Sequence, residues 1–145
     1  MRNNVILLFL LFTVSIFSEI KTELFSYQIL TNENGEIERV SAEEGSPGDV
    51  LEYVFNIQND SKEVIYNLNP IIPIPEGTTI IKESLVPKNK FKASLNGRDF
   101  LEFPIIQDGL EIPISNYRAV MWDIPQLSNE KEIELKLQVK INSRN

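Results

Sequence analysis

Residues 46–60 read SPGDVLEYVFNIQND. A Pro-Gly-Asp turn feeds a run in which Leu51, Tyr53, Phe55 and Ile57 fall on one side. Glu52, Asn56 and Gln58 fall on the other, together with Val54. Successive side chains of a strand point to opposite faces, so a strand gathers these apolar residues on one side, where a helix would scatter them. Pro47 presets φ and Gly48 relaxes the backbone, which predicts a chain reversal. Asp49 is placed to accept backbone N–H bonds within that turn. Asn59, Asp60 and Ser61 end the strand, because their short polar side chains compete for backbone hydrogen bonds.

The same period recurs along the chain. In KEIELKLQVKI, residues 131–141, Ile133, Leu135, Leu137, Val139 and Ile141 face one way. Glu132, Glu134, Lys136, Gln138 and Lys140 face the other, so this segment predicts a strand with one face in a core and one in water. Shorter strands are expected at 24–31 and 36–43, joined by a tight hairpin turn at Asn34-Gly35. Others are expected at 63–68, 78–84 and 90–95, then at 99–105 after an Asn96-Gly97 turn, and at 118–124. Pro70, Pro73 and Pro75 cannot donate to a ladder, so NPIIPIPEG reads as an extended edge or a crossover between sheets. PIIQDGLEIPI, residues 104–114, reads as a loop with Gly109 in its turn. No window has a helical period. Eight to nine short strands in one domain point to an all-β, antiparallel β-sandwich.

Composition narrows the function. The 145 residues carry a net charge of −7 and supply no basic patch to neutralise phosphates, which argues against nucleic acid as a partner. The chain has no cysteine and no histidine. A disulfide framework, a thiol nucleophile and a thiolate metal site are thereby excluded, and the usual general base at neutral pH is missing. No cofactor is expected.

Val5 to Phe17 is an uncharged apolar run of 13 residues after MRNN, too short for a spanning helix of roughly 20 residues. It fits the apolar region of a secretory signal peptide, with Ser18 as the small residue before the cut. Residues 1–18 are therefore read as a signal peptide and residues 19–145 as a single exported domain, periplasmic or extracellular, with no membrane span in the mature chain. No cysteine follows the run to take a lipid, and the C-terminal KINSRN carries no apolar tail.

Four features occur in order: SPGDVLEYVFNIQND, IPIPEGTTI, RAVMWDIPQL and the alternating C-terminal strand. Together they resemble the bacterial conserved-repeat domain, an immunoglobulin-like domain of unknown function that covers about residues 40–141 here. The resemblance implies an immunoglobulin-like topology and a place in exported or surface proteins. Two departures stand out. Ile72 occupies the position where members often carry an aspartate, and Ile74 replaces the leucine of Leu-Pro-x-Gly. Members also recur in tandem, whereas this chain holds one copy.

Each residue that invites a sharper role also has a plainer one. Asp49, Asp60, Asp108 and Asp123 lie in or near turns and carry calcium-type oxygens, but no dense Asp-x-Asp loop holds them, so they read as solvated turn acids and no metal site is assigned. Trp122 and Tyr117 have faces that suit a sugar, yet Val120, Trp122 and Ile124 alternate inward, which reads as core. Asn59-Asp60-Ser61 matches a glycosylation acceptor and also a simple turn. Ile71, Ile72 and Ile74 read as a buried crossover or as an apolar patch for a partner. No catalytic, metal or cofactor residue is assigned, and the binding residues are open. The leading expectation is a non-catalytic structural or protein-interaction module of a bacterial cell envelope, whose partner is an envelope or surface protein. The alternative is a carbohydrate-binding module using exposed aromatics on one sheet.

Overall fold

The computed structural model describes residues 20–42, 45–88 and 91–143. The expected signal peptide, residues 1–18, lies outside the described residues. The chain is all-β with antiparallel sheets. Its strands are β1 (Ile20–Thr31), β2 (Ile37–Ser41), β3 (Val50–Asn59), β4 (Ile65–Leu68), β5 (Ile71–Pro73), β6 (Thr78–Val86) and β7 (Phe91–Ser94). They continue as β8 (Leu101–Glu102), β9 (Ile106–Gln107), β10 (Leu110–Glu111), β11 (Ala119–Trp122), β12 (Ile124–Leu127) and β13 (Glu132–Ile141). A single 3₁₀ turn, Ile114–Asn116, is the one helical element among the described residues.

One layer is a five-stranded sheet ordered β2-β1-β3-β13-β6. Facing it is a four-stranded sheet ordered β5-β11-β7-β8, continued by the pair β12-β4. Ile57, Ile80, Leu135, Leu137 and Val139 from the first layer share one core with Ile72, Ala93, Val120, Trp122, Ile124 and Leu127 from the second. The arrangement is that of a β-sandwich. More strand segments appear than the eight to nine expected, for three physical reasons. Asn69-Pro70 splits β4 from β5, and Asp123 splits β11 from β12. The segment read as a Pro-rich loop also closes into the small β9–β10 hairpin. Asp108 (φ 51°) and Gly109 (φ 78°) both take positive φ there, the backbone of a two-residue primed turn.

The Pro-Gly-Asp reversal works by clamping two strands. Gly48 takes φ 96°, which a side chain would strain. Its N–H donates to the Ile141 carbonyl at 2.8 Å, and the Ile141 N–H donates to the Asp49 carbonyl at 2.9 Å. The Asp49 carboxylate accepts from the Ser46 N–H at 2.8 Å and from the Gln28 side-chain amide at 2.9 Å. The start of β3 is thus tied to the end of β13 and to β1.

The β1–β2 connection differs in detail from a two-residue Asn34-Gly35 turn. Asn32 organises a longer loop: its Oδ1 accepts from the Asn34 N–H at 3.0 Å and the Glu36 N–H at 2.9 Å. Similarly, Asn96 and Ser94 order the loop before β8, with Asn96 Oδ1 accepting from both the Arg98 and Asp99 N–H groups at 2.9 Å.

The register of β13 is as the alternation predicts on its core face, where Leu135, Leu137 and Val139 are fully buried. Glu134 is exposed, and Lys136 is half-buried rather than exposed. In β3 the alternation is overturned on the outer face. Glu52 and Val54 are only 4% and 6% exposed, while the inward Tyr53 and Phe55 are half-buried. The reason is lateral. β3 is the middle strand of its sheet, so Phe25 and Tyr27 from β1 and Lys136 and Gln138 from β13 flank its outer side chains.

Leu137→Asp should destabilise the fold by several kcal/mol, because it buries an unpaired charge. Lys136→Gln on the same strand should cost less than about 1 kcal/mol. Urea denaturation of the two variants checks the register, and equal losses would refute it.

Candidate binding surface

The motif residues are first accounted for, because most are consumed by the scaffold. Trp122 and Tyr117 are each 1% exposed. They belong to a train of rings. Phe91 and Phe103 meet edge-on with centroids 4.9 Å apart, Phe103 and Tyr117 at 5.6 Å, and Phe91 and Trp122 at 6.4 Å. The two polar tips are both satisfied: Tyr117 Oη accepts from the Ile105 N–H at 2.8 Å, and Trp122 Nε1 donates to the Pro87 carbonyl at 3.3 Å. Neither face is open to a sugar.

Asn59 is 0% exposed, and its side chain joins three stretches of chain. Nδ2 donates to the carbonyls of Glu63 at 2.7 Å, Leu127 at 3.0 Å and Ser128 at 3.1 Å. Oδ1 accepts from the Ser61 N–H at 3.0 Å and the Ser61 hydroxyl at 2.7 Å. In the folded chain this amide is closed to glycosylation.

The four aspartates lie apart in role. Asp49 serves its turn, Asp60 pairs with Lys21, Asp108 holds a turn position at positive φ, and Asp123 is exposed between β11 and β12. Among the described residues no three acidic side chains converge as metal ligands would. Ile72 and Ile74 are buried, while Ile71 is exposed at the edge strand β5, so the crossover reading holds for two of the three.

Four surfaces stand out among the described residues. The first is a groove of about 350 Å³ between the layers, lined by Lys82, Leu85, Lys88, Phe91, Phe103 and Pro104. Lys82 Nζ lies 5.4 Å from the Phe103 ring centroid, in cation–π range. The second, of about 310 Å³, opens beside β1, where Ile20, Thr22, Phe55 and Ile57 face Leu68, Pro70 and Ile71. It is almost wholly apolar.

The third is the outer face of the larger sheet. Glu52 is buried there between Arg39, whose Nε lies 2.7 Å from Oε1, and Gln138, whose Nε2 donates to Oε2 at 2.9 Å. This ion pair spans from β2 across β1 to β3, and no sequence pattern announces it. Beside it Phe25 and Tyr27 stack at 6.3 Å with their planes 23° apart. The fourth is the sheet edge at the start of β1. Residues Ile20–Ile29 pair with β3 on one side, but β2 covers only Tyr27–Thr31 on the other.

Burial pushes the Tyr53 phenol above its ordinary value, so it stays neutral at physiological pH. No helix among the described residues is long and apolar enough to cross a membrane. Comparison of the chain with protein families, with curated proteins and with solved structures finds no match in any of the three.

Asn59→Ala should cost about 2–4 kcal/mol, since it strands buried carbonyl and hydroxyl partners. Asn59→Asp should cost more, because a carboxylate cannot donate and would face three carbonyl oxygens. Thermal and urea unfolding of both variants measure this; a loss below 1 kcal/mol in each would remove Asn59 as the tie.

Proposed function

We propose that the chain is an exported, non-catalytic immunoglobulin-like domain that acts as a structural or protein-interaction module of a bacterial cell envelope. The observation that carries this reading is the use made of its chemical side chains. Trp122, Tyr117 and Asn59 are buried in the scaffold, and Asp49 is spent on a turn. What faces outward is sheet edge, loop and shallow groove. Such surfaces suit recognition by backbone and shape rather than bond-making. The resemblance of residues 40–141 to the bacterial conserved-repeat domain supports the same view. So does the apolar run Val5–Phe17, which marks the chain for the periplasm or the exterior. The partner in this reading is an envelope or surface protein.

A second reading has one observation of its own. The stacked Phe25–Tyr27 pair on the outer sheet face, with Phe25 exposed and Tyr27 half-buried, is the kind of aromatic platform that a carbohydrate-binding module uses.

Four measurements decide. N-terminal sequencing of the native protein should find Glu19 first, and a retained Met1 in a soluble cytoplasmic protein would overturn export. Capture from envelope extracts should recover a defined protein partner. Retention on envelope polysaccharide that Phe25→Ala abolishes would favour the carbohydrate reading instead. Ester, glycoside and phosphate substrates should not turn over, and turnover lost on replacing a single acidic residue in a still-folded chain would make the protein an enzyme.

A further inference from the structure

We infer that two copies of this chain pair edge to edge through the first half of β1, forming a symmetric dimer with one continuous sheet. This goes beyond the envelope reading and does not depend on it.

The edge is open and regular. β1 follows β3 without a register break from Ile20 to Ile29. β2 begins to cover it only at Tyr27, helped by one bond from the Ala42 N–H to the Ser26 carbonyl at 3.1 Å. That bond fixes which residues face outward. In an antiparallel strand both backbone groups of a residue point to the same side, and the side alternates. Since Ser26 points towards the β2 side, Leu24, Thr22 and Ile20 do as well. Their N–H and C=O groups are the ones that a further strand would meet.

The sequence at this edge complements itself. A two-fold axis perpendicular to the sheet keeps each face with its like, so it must lie midway between one residue and the same residue of the second copy. Set on Thr22, it places Ile20 against Leu24 of the second copy, and Lys21 against Glu23 of the second copy. Thr22 meets itself. All three matches are favourable cross-strand pairs: apolar with apolar, cation with anion, and threonine with threonine. Thr22 and the Ile20–Leu24 pairs fall at hydrogen-bonded sites, giving about six inter-strand bonds. The Lys21–Glu23 pairs fall at the intervening sites, where side chains approach most closely.

Exposure agrees with this. Ile20, Leu24 and Phe25 are 38%, 59% and 39% exposed in the single chain. Ile20 and Leu24 project on the inner face, beside the apolar groove formed with Leu68, Pro70 and Ile71. Pairing sets Leu24 of the second copy next to Ile20 at the mouth of that groove. Lys21 already pairs with Asp60, so Glu23 of the second copy would extend an existing ion pair.

The other edges fit a partner strand less well. β5 carries Pro73 and is flanked by Pro70 and Pro75, which cannot donate. β6 has a register shift opposite Lys136–Gln138. β2 turned about its midpoint would set Arg39 against itself, and β8 is two residues long.

The test uses the chain tagged only at its C terminus and purified from whichever fraction of a bacterial host holds it. Sedimentation velocity at rising concentration should show a monomer–dimer equilibrium. Lys21→Glu alone and Glu23→Lys alone each set like charges opposite one another, and each should weaken dimerisation about tenfold or more. Combining both substitutions in one chain restores opposite charges and should restore the dimer. Mixing the two single variants should yield a heterodimer that neither forms with itself. Thr22→Cys gives a second readout. The chain has no native cysteine, and hydrogen-bonded cross-strand positions lie about 5.5 Å apart, within disulfide reach. Mild oxidation should convert this variant to a covalently linked dimer, where Lys62→Cys on an exposed loop stays unlinked. A chain that remains a monomer at every concentration, or single variants that dimerise as the parent does, would overturn the inference.

Discussion

A buried side-chain amide holds the end of β3 to one distant turn of the chain and to the turn that follows the strand. Asn59 reaches Leu127 and Ser128, which lie 68 and 69 residues further on, as well as Glu63 and Ser61 nearby. Its own backbone completes the tie: its N–H donates to the Lys131 carbonyl at 2.8 Å, and its carbonyl accepts from the Glu130 N–H at 2.8 Å. The amide offers two hydrogens to three carbonyls and accepts two bonds at its oxygen, so its polar capacity is used in full. An interior amide with that many partners is strongly favoured in one arrangement and costly in any other. The long β3–β13 pairing is therefore pinned at both ends, by Asn59 at one and by the Pro47-Gly48-Asp49 turn at the other. Between the pins the register has no freedom to slip by one residue, a shift that would turn Leu135 and Leu137 to water.

Once this central pair is fixed, the rest of the larger sheet follows from its outer face. Glu52 in the middle strand is a buried acid, a costly placement unless paired. Arg39 answers it from β2, two strands away, and Gln138 from β13 on the other side. The β1–β2 hairpin, whose apolar side chains are largely left exposed, thereby gains a reason to lie flat against the sheet. On the far side the β6 ladder breaks, and Ser84 mends it: its hydroxyl accepts from the Gln138 N–H at 2.7 Å and donates to the Ile81 carbonyl at 2.6 Å. Gln138 thus touches both repairs, which couples the two halves of the sheet through one residue.

What could be read in the sequence was what repeats locally. The alternation in 50–59 and 132–141 is a property of adjacent residues, and both strands appear where it places them. Val120, Trp122 and Ile124 point inward as their spacing implies. What escaped depends on partners remote in sequence. Glu52 reads as a solvated residue because Arg39 and Gln138 are named only by the fold. Asn59 reads as a turn residue because the carbonyls it binds belong to another turn. The start of β1 at Ile20 was missed for a different reason. Ile20-Lys21-Thr22-Glu23 mixes apolar, charged and polar residues without a hydrophobic stripe, and such a strand is specified by its neighbour β3 rather than by itself. The Asp108-Gly109 hairpin was masked by the prolines around it.

The same distinction explains why the four edges of the two sheets differ. An exposed strand edge invites any passing strand, so folded chains blunt it. Prolines blunt β5, a bulge interrupts β6, and β8 is too short to template anything. None of these devices is present along Ile20–Phe25, which has no proline, glycine or bulge. A stretch that kept its backbone groups unsheltered only by accident would be expected to carry like charges or to be brief. This one is long and regular, and it carries one cation and one anion on the same face, two residues apart. That pattern discourages pairing in most registers, where Lys21 or Glu23 would meet its own kind or an apolar residue. It favours the single register in which the two charges face each other. An edge so marked is selective rather than merely uncovered, and it turns a general hazard of β-sheets into a specified contact.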